Sequence, residues 1–214
     1  MSERPLYIAV AGNIGAGKSS FLDWLGAKYD VELLPEPNEQ NPFLERYYAD
    51  MPRWAFHSQV FFLTRKLAVQ RTITGSSRAV IQDRCIWEDA NIFARHLANV
   101  GFMAADEYDT YRALFDAMTE HLRVPDLLIY LRCPVPVLRR RIRQRGRTME
   151  KAISPAFLTA LDVLYEDWLA GWTYSPHLVI PTDRIDPVSH LFDQQDTLAL
   201  MDRHLRRRDG HRSA

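Results

Sequence analysis

The chain has 214 residues, with 27 Lys plus Arg balanced by 27 Asp plus Glu. Its 47% hydrophobic fraction supplies one sizeable core, and zero formal charge gives no electrostatic ground for a nucleic-acid or membrane partner. Cys85 and Cys133 are too few for a disulfide framework and lack metal-ligand spacing; with no apolar leader and no apolar run of membrane-spanning length, a single cytoplasmic domain over 1–214 is expected.

The first apolar run, Leu6-Tyr7-Ile8-Ala9-Val10-Ala11, predicts a buried strand over residues 7–11. It opens into Gly12-Asn13-Ile14-Gly15-Ala16-Gly17-Lys18-Ser19, a complete G-x-x-x-x-G-K-[ST] loop, and Ser20-Phe21-Leu22 continues a helix over 18–28. Strand, glycine turn and helix start are the context this motif requires. Backbone N–H groups from Gly12 to Ser20 converge on phosphate oxygens, where the helix dipole adds positive potential. Lys18 is expected at the β/γ-phosphates, and the Ser19 hydroxyl at Mg²⁺. The motif specifies a nucleoside triphosphate and leaves the acceptor open.

Further strands are predicted at 31–34, 79–82, 127–131 and 178–180, and helices at about 52–74, 88–100, 105–122, 136–145 and 155–170. This alternation implies right-handed crossovers and an α/β fold, a five-stranded parallel sheet covered by helices on both faces. Ligands of such sheets sit beyond the carboxyl ends of the strands, so each strand exit is suspect. The second strand runs into Glu36-Pro37, and the third ends in Asp83-Arg84. Glu36 is placed to take a proton from an attacking hydroxyl, and Asp83 to hold Mg²⁺ directly or through water. Arg84 can brace the attacking oxygen or the phosphoryl group, or simply pair with Glu36.

Residues 139–147 hold six arginines in nine positions. Arg141 and Arg145 share a helix face by their i,i+4 spacing, with Arg147 just beyond. Guanidinium forks suit phosphate oxygens, so the run reads as a lid, about 139–151, closing on the triphosphate. A nucleic-acid patch or a merely solvated face is the alternative. The tail His204-Leu205-Arg206-Arg207-Arg208 reads as a solvated end.

Taken in order, Gly12–Ser19, Glu36-Pro37, Tyr48…Arg53-Trp54…Gln59, Asp83-Arg84…Asp89 and Arg141…Arg145-Gly146-Arg147…Glu150 resemble the deoxycytidine/deoxyguanosine/deoxyadenosine kinase family, from Tyr7 to about Asp183. The resemblance implies a P-loop kinase fold and ATP-dependent 5′-phosphorylation of a deoxynucleoside, with Mg²⁺. It implies Glu36 as the base, with Arg84 and Lys18 beside it; Tyr48 and Glu150 at the sugar 3′-hydroxyl; Gln59 and Asp89 at the base edge; and Phe93 stacked on the base. Arg141, Arg145 and Arg147 match the lid, and Thr182-Asp183-Arg184 the loop beside the donor adenine. Homodimerisation is a further implication, with Phe93, Leu97, Tyr108, Tyr111, Leu114, Phe115 and Met118 able to form either an interface or core.

From the residues themselves, an amide donor–acceptor pair suits Gln59 to a nucleobase edge. Phe93 and Tyr48 could instead be packing aromatics, and Asp89 a first-turn helix acid. Two departures stand out: Asp83-Arg84-Cys85 replaces Glu-Arg-Ser, and Lys66, preceded by Arg65, replaces the arginine that partners Asp89. Which cation meets Asp89 is open, since one residue turns a side chain about 100° around a helix. The segment Glu36-Pro37…Asn41-Pro42-Phe43-Leu44 resembles purine-type bacterial members, which implies deoxyadenosine or deoxyguanosine. A thymidylate-type monophosphate kinase shares the loop, Asp-Arg and lid, and a non-catalytic nucleotide-binding subunit is a third reading.

Overall fold

The computed structural model describes residues 4–147, 150, 153–183 and 195–201. Five parallel strands stand in the order β2-β3-β1-β4-β5: β1 Tyr7–Ala11, β2 Val31–Leu34, β3 Ala79–Asp83, β4 Leu127–Arg132 and β5 His177–Pro181. The helices are α1 Lys18–Lys28, α2 Leu44–Ala49, α3 Met51–Gly75, α5 Ala105–Thr119, α6 Val135–Arg145 and α7 Pro155–Ala170. Between α3 and α5 lies α4, a continuous stretch of α-helical Ile86–Glu88, π-helical Asp89–Ala94 and α-helical Arg95–Asn99.

Central β1 is buried at every position, which is why it reads as an unbroken apolar run. Its side chains alternate between two cores. Tyr7, Ala9 and Ala11 meet residues of α3, α4 and α7 on one face, and Ile8 and Val10 meet α1 and α6 on the other. The chain leaves β1 for β2 and β3 on one side and later crosses to β4 on the other. The exits of β1, β2 and β3 therefore lie side by side, with Val10 paired to Asp83 and Leu34 to Gln82.

Three local differences from the sequence expectation matter for the site. β3 extends one residue further, so Asp83 is a strand residue with a buried side chain rather than the first loop residue. Residues 44–49 form α2, which carries Tyr48; Leu44 and Tyr47 anchor it in the core. Helix α4 starts two residues earlier than expected and widens into a π turn, where Asn91 Nδ2 donates to the Trp87 carbonyl at 2.7 Å. Such turns concentrate at functional sites because they re-aim side chains. Helix α5 stops at Thr119 instead of residue 122. The Arg206–Arg208 tail and Arg184 lie outside the described residues.

Candidate active site

The phosphate loop is shaped by contacts that exclude side chains. A Cβ on Gly12 would stand 2.9 Å from the Leu131 carbonyl. Gly15 has φ +84°, and a Cβ there would meet the Leu138 carbonyl and Ile142 Cγ1 at 3.0 Å. The segment from Gly15 through Ala16, Gly17, Lys18, Ser19 and Ser20 faces an open cleft of about 1880 Å³. Gly12 and Asn13, also expected at the phosphates, sit behind this wall. Asn13 Nδ2 donates to the Leu158 carbonyl and its Oδ1 accepts from the Ile14 N–H, so its side chain shapes the loop. Lys18 Nζ donates to the Gly12 and Asn13 carbonyls at 2.8 and 3.2 Å. Burial, then the Arg84 charge, lowers the Lys18 pKa to about 8 against the pull of Asp83, Glu88 and Glu36.

Ser19 Oγ donates to Asp83 Oδ2 at 3.3 Å, and the other Asp83 oxygen is buried without a hydrogen-bond partner. A hydroxyl and a carboxylate with a spare oxygen fit a hard cation such as Mg²⁺. Among the described residues no group of three His, Cys, Asp or Glu side chains could hold a metal, so phosphate oxygens and water would complete the shell. Burial raises the Asp83 pKa, only partly offset by Lys18.

Arg84 is the one described non-glycine residue with positive φ, 60°. The unfavourable backbone costs about 1–2 kcal/mol and is held by multiple contacts. Its N–H donates to the Val10 carbonyl at 3.0 Å, its guanidinium lies 4.4 Å from the Phe93 ring centroid, and Nε stands 3.4 Å from Glu36 Oε1 and 3.7 Å from Glu88 Oε1. Both roles considered for Arg84 are thus compatible: it pairs with Glu36 and faces the cleft. Burial works to raise the Glu36 carboxyl, but Arg84, then Lys66 and Lys18, hold it below its ordinary value, helped by the Asn38 side-chain N–H at 3.0 Å. Glu36 is therefore ionised at neutral pH.

Tyr48, Gln59, Asp89, Phe93 and Glu150 all line the same cleft as the phosphate loop. Gln59 lies on the buried stripe of α3, and its carbonyl oxygen has no hydrogen-bond partner. The question of the Asp89 partner is settled by the same stripe. Lys66, seven residues after Gln59 and 1% exposed, reaches Asp89 Oδ2 at 3.7 Å, whereas Arg65 lies over the Phe61 ring. Lys66 Nζ also donates to the Asp83 and Arg84 carbonyls at 3.3 and 2.6 Å. Burial pushes Asp89 up to about 6, with Lys66 opposing. Burial, then the Glu150 charge, pushes Tyr48 up to about 12.

The lid arginines divide in two. Arg145 makes a bidentate pair with Glu150, at 3.1 and 2.6 Å, and Arg147 Nη1 lies 3.6 Å from the same carboxylate. Arg141 instead donates to the Ala16 carbonyl at 3.2 Å and to Thr182 at Oγ1 and the carbonyl, 3.1 and 2.8 Å. It fastens the phosphate loop to the exit of β5 while still lining the cleft. Asp183 is exposed and does not line the cleft, while Thr182 does.

Sequence reasoning missed Glu88 and Tyr165. Glu88 is wholly buried; it accepts the Gly12 N–H at 3.3 Å and a hydrogen bond from the Tyr165 hydroxyl. Only the order of acids in Trp87-Glu88-Asp89 hinted at it, and one of two adjacent acids in a first helical turn reads as solvated.

Comparison with known proteins agrees with this geometry. The family model for "Deoxynucleoside kinase" matches residues 8–205. A deoxyadenosine/deoxycytidine kinase of Bacillus subtilis is 36% identical over 197 residues, covering 91% of this chain and 89% of its own. A deoxyadenosine kinase of Lactobacillus acidophilus is 31% identical, over 93% of this chain and 96% of its own. The structure of deoxyadenosine kinase from M. mycoides with bound dATP superposes with a TM-score of 0.80 at 27% identity, covering 91% of this chain and 99% of that one. A parallel sheet with the phosphate loop, the acid–arginine exits and a facing amide pocket thus stands on the P-loop kinase fold, and the chain belongs to the deoxynucleoside kinase family.

Proposed function

We propose that this kinase transfers the γ-phosphoryl group of ATP to the 5′-hydroxyl of purine deoxyribonucleosides, deoxyadenosine ahead of deoxyguanosine. The observation that carries the reading is one cleft in which Glu36, paired with Arg84 at 3.4 Å, stands between the phosphate loop and the Gln59–Asp89 pocket. Glu36 takes the 5′-hydroxyl proton as the bond from O5′ to the γ-phosphorus forms and the bond to the β-phosphate oxygen breaks, releasing ADP. A loose transition state asks little basicity of Glu36, which suits its lowered pKa. Lys18 and the lid residues Arg145 and Arg147 neutralise phosphate charge, while Arg84 steadies the attacking oxygen. Bound Mg²⁺, held through Ser19 and Asp83, would supply further neutralisation at the phosphates.

Tyr48 and Glu150 bind the sugar 3′-hydroxyl, and Phe93 stacks on the base. Gln59 pairs with a base edge bearing one donor and one acceptor, as adenine does. Asp89, ionised above about pH 6, accepts from an exocyclic amine. Lys66 is turned to two carbonyls and Asp89 and does not line the cleft, so it is not presented to the O6 of guanine. An acceptor phosphate, by contrast, would face the Glu36 carboxylate, which disfavours a monophosphate kinase. The relatives named above support deoxyadenosine as a substrate.

The same reading includes a cytoplasmic homodimer. Leu97, Tyr111 and Phe115 belong to the chain's own core, leaving Tyr108, Leu114 and Met118 as the half-buried candidates for an interface. Among the described residues no helix is long and apolar enough to cross a membrane. The test is a panel of deoxyadenosine, deoxyguanosine, deoxycytidine, thymidine, dAMP and dTMP with ATP. Deoxyadenosine is expected to give the highest kcat/KM; turnover of dAMP or dTMP without turnover of nucleosides would overturn the reading. Light scattering of the purified chain reads the dimer.

A further inference from the structure

Glu88 is the one described carboxylate with 0% exposure, and nothing in the phosphoryl-transfer scheme above uses it. A buried carboxylate carries a desolvation cost that only its partners offset. Its Oε1 gathers three of them: the Gly12 N–H, the Tyr165 hydroxyl and the Arg84 guanidinium. The Tyr165 hydroxyl also lies 2.9 Å from the Gly12 carbonyl, and its one proton can serve either that oxygen or Glu88. Arg84 Nη2 reaches that carbonyl at 3.4 Å. On its other side Arg84 faces Glu36. One carboxylate thus connects the phosphate loop, the arginine and, through it, the base.

We propose that Glu88, supported by Tyr165, is a positioning residue for phosphoryl transfer: it shares Arg84 with Glu36 and ties that arginine to Gly12. The proposal rests on the nucleoside-kinase reading above and deepens it. With Glu88 ionised, Arg84 is drawn between two carboxylates, 3.4 and 3.7 Å from its Nε. With Glu88 neutral, the pull on Arg84 comes chiefly from Glu36, with Asp83 behind it. The arginine then shifts toward Glu36, away from the attacking oxygen that it steadies, and loosens its hold on the loop.

The groups facing Glu88 are Arg84 from the β3 exit, Lys18 from α1, Lys66 from α3, Tyr130 from β4, Tyr165 from α7, and Cys85 just ahead of its own helix. Burial pushes Glu88 up to about 7, with Arg84, Lys18, the Tyr165 hydrogen bond and Lys66 opposing. The switch between the two arrangements therefore falls in the working range of pH, and turnover should decline as pH falls through about 7.

The experiment compares wild type, Glu88→Gln and Tyr165→Phe by kcat and KM for deoxyadenosine with ATP from pH 5.5 to 9, alongside circular dichroism and Tm. Glu88→Gln should lower kcat about 10–100-fold, the scale of a displaced catalytic arginine, with deoxyadenosine KM within about 3-fold. Its acid limb near pH 7 should disappear. Tyr165→Phe removes a hydrogen bond that favours the charged carboxylate, so its acid limb should move to higher pH. A Glu88→Gln enzyme with wild-type kcat and an intact acid limb would overturn the proposal. So would an unmoved limb in Tyr165→Phe, which decides the matter should Glu88→Gln fail to fold. Wild-type enzyme inactive on every deoxynucleoside would sink the functional reading itself; an active wild type beside unaltered variants sinks only the role of Glu88.

Discussion

Lys66 of α3 and Asp89 of the π turn in α4 form an ion pair at 3.7 Å inside the protein, with side chains 1% and 4% exposed. Removing one partner of such a pair leaves an uncompensated buried charge, at a cost of about 3–5 kcal/mol. Lys66→Met should therefore lose stability on that scale at pH 7.5 in urea unfolding, and part of the loss should vanish at pH 5.5. The sign follows from Asp89: Lys66 lowers its pKa from where burial would put it, so without Lys66 the carboxyl protonates more readily as pH falls. Lys66→Met with Asp89→Asn should recover much of the stability while deoxyadenosine KM stays raised. A loss under about 1 kcal/mol in the single variant would contradict this placement of charge.

Glu36→Gln keeps shape and the Asn38 contact but cannot take a proton. We expect kcat to fall about 10²–10⁴-fold, the range for loss of a general base, with deoxyadenosine KM changed only a few-fold. Steady-state kinetics at saturating ATP measure it, and near-normal turnover removes Glu36 as the base.

With its pKa lowered to about 8, Lys18, proposed above at the donor phosphates, should make donor binding pH-dependent. Because the shift is downward, Lys18 is charged below about pH 8 and neutral above it. The kcat/KM for ATP, which reports the free enzyme, should decline as pH rises through 8. A profile flat to pH 9.5 would show that Lys18 keeps its proton in the free enzyme.

Gly15→Ala tests the loop shape. Its φ of +84° is unfavourable for alanine by about 1–2 kcal/mol, and the new Cβ would press on the Leu138 carbonyl and Ile142 at 3.0 Å. Lower Tm and a raised KM for ATP are expected, with deoxyadenosine KM nearly unchanged. Wild-type values for both would mean that the loop can relax away from α6.

The strands and the phosphate loop were legible because their signals are local. Apolar runs of strand length, a glycine pattern and a following helix start need no distant residue to be read. The buried stripe Ala55, Gln59, Phe62, Lys66, Ile73 on α3 stands at helical spacing, but the choice of Lys66 over Arg65 as the inward cation stayed open in the sequence and came with the packing of α3. Helix α2 was missed because six residues behind Asn41-Pro42-Phe43 carry too short a pattern to outweigh turn-forming neighbours.

Sequence by itself thus determined the sheet, the triphosphate loop and the acids at the strand exits, all of which follow from periodicity and short motifs. Tertiary structure alone decided which partners those groups meet. Glu88 reaches Gly12 across 76 positions and Tyr165 across 77, and Arg141 meets Thr182 41 positions away. No local pattern encodes such contacts, because a side chain's charge and hydrogen bonds are set by what packs against it. Glu36, Asp83, Glu88 and Asp89 are four carboxylates of one cleft and its floor; burial and the neighbouring cations, chiefly Arg84, Lys18 and Lys66, divide them into one held low and three pushed up.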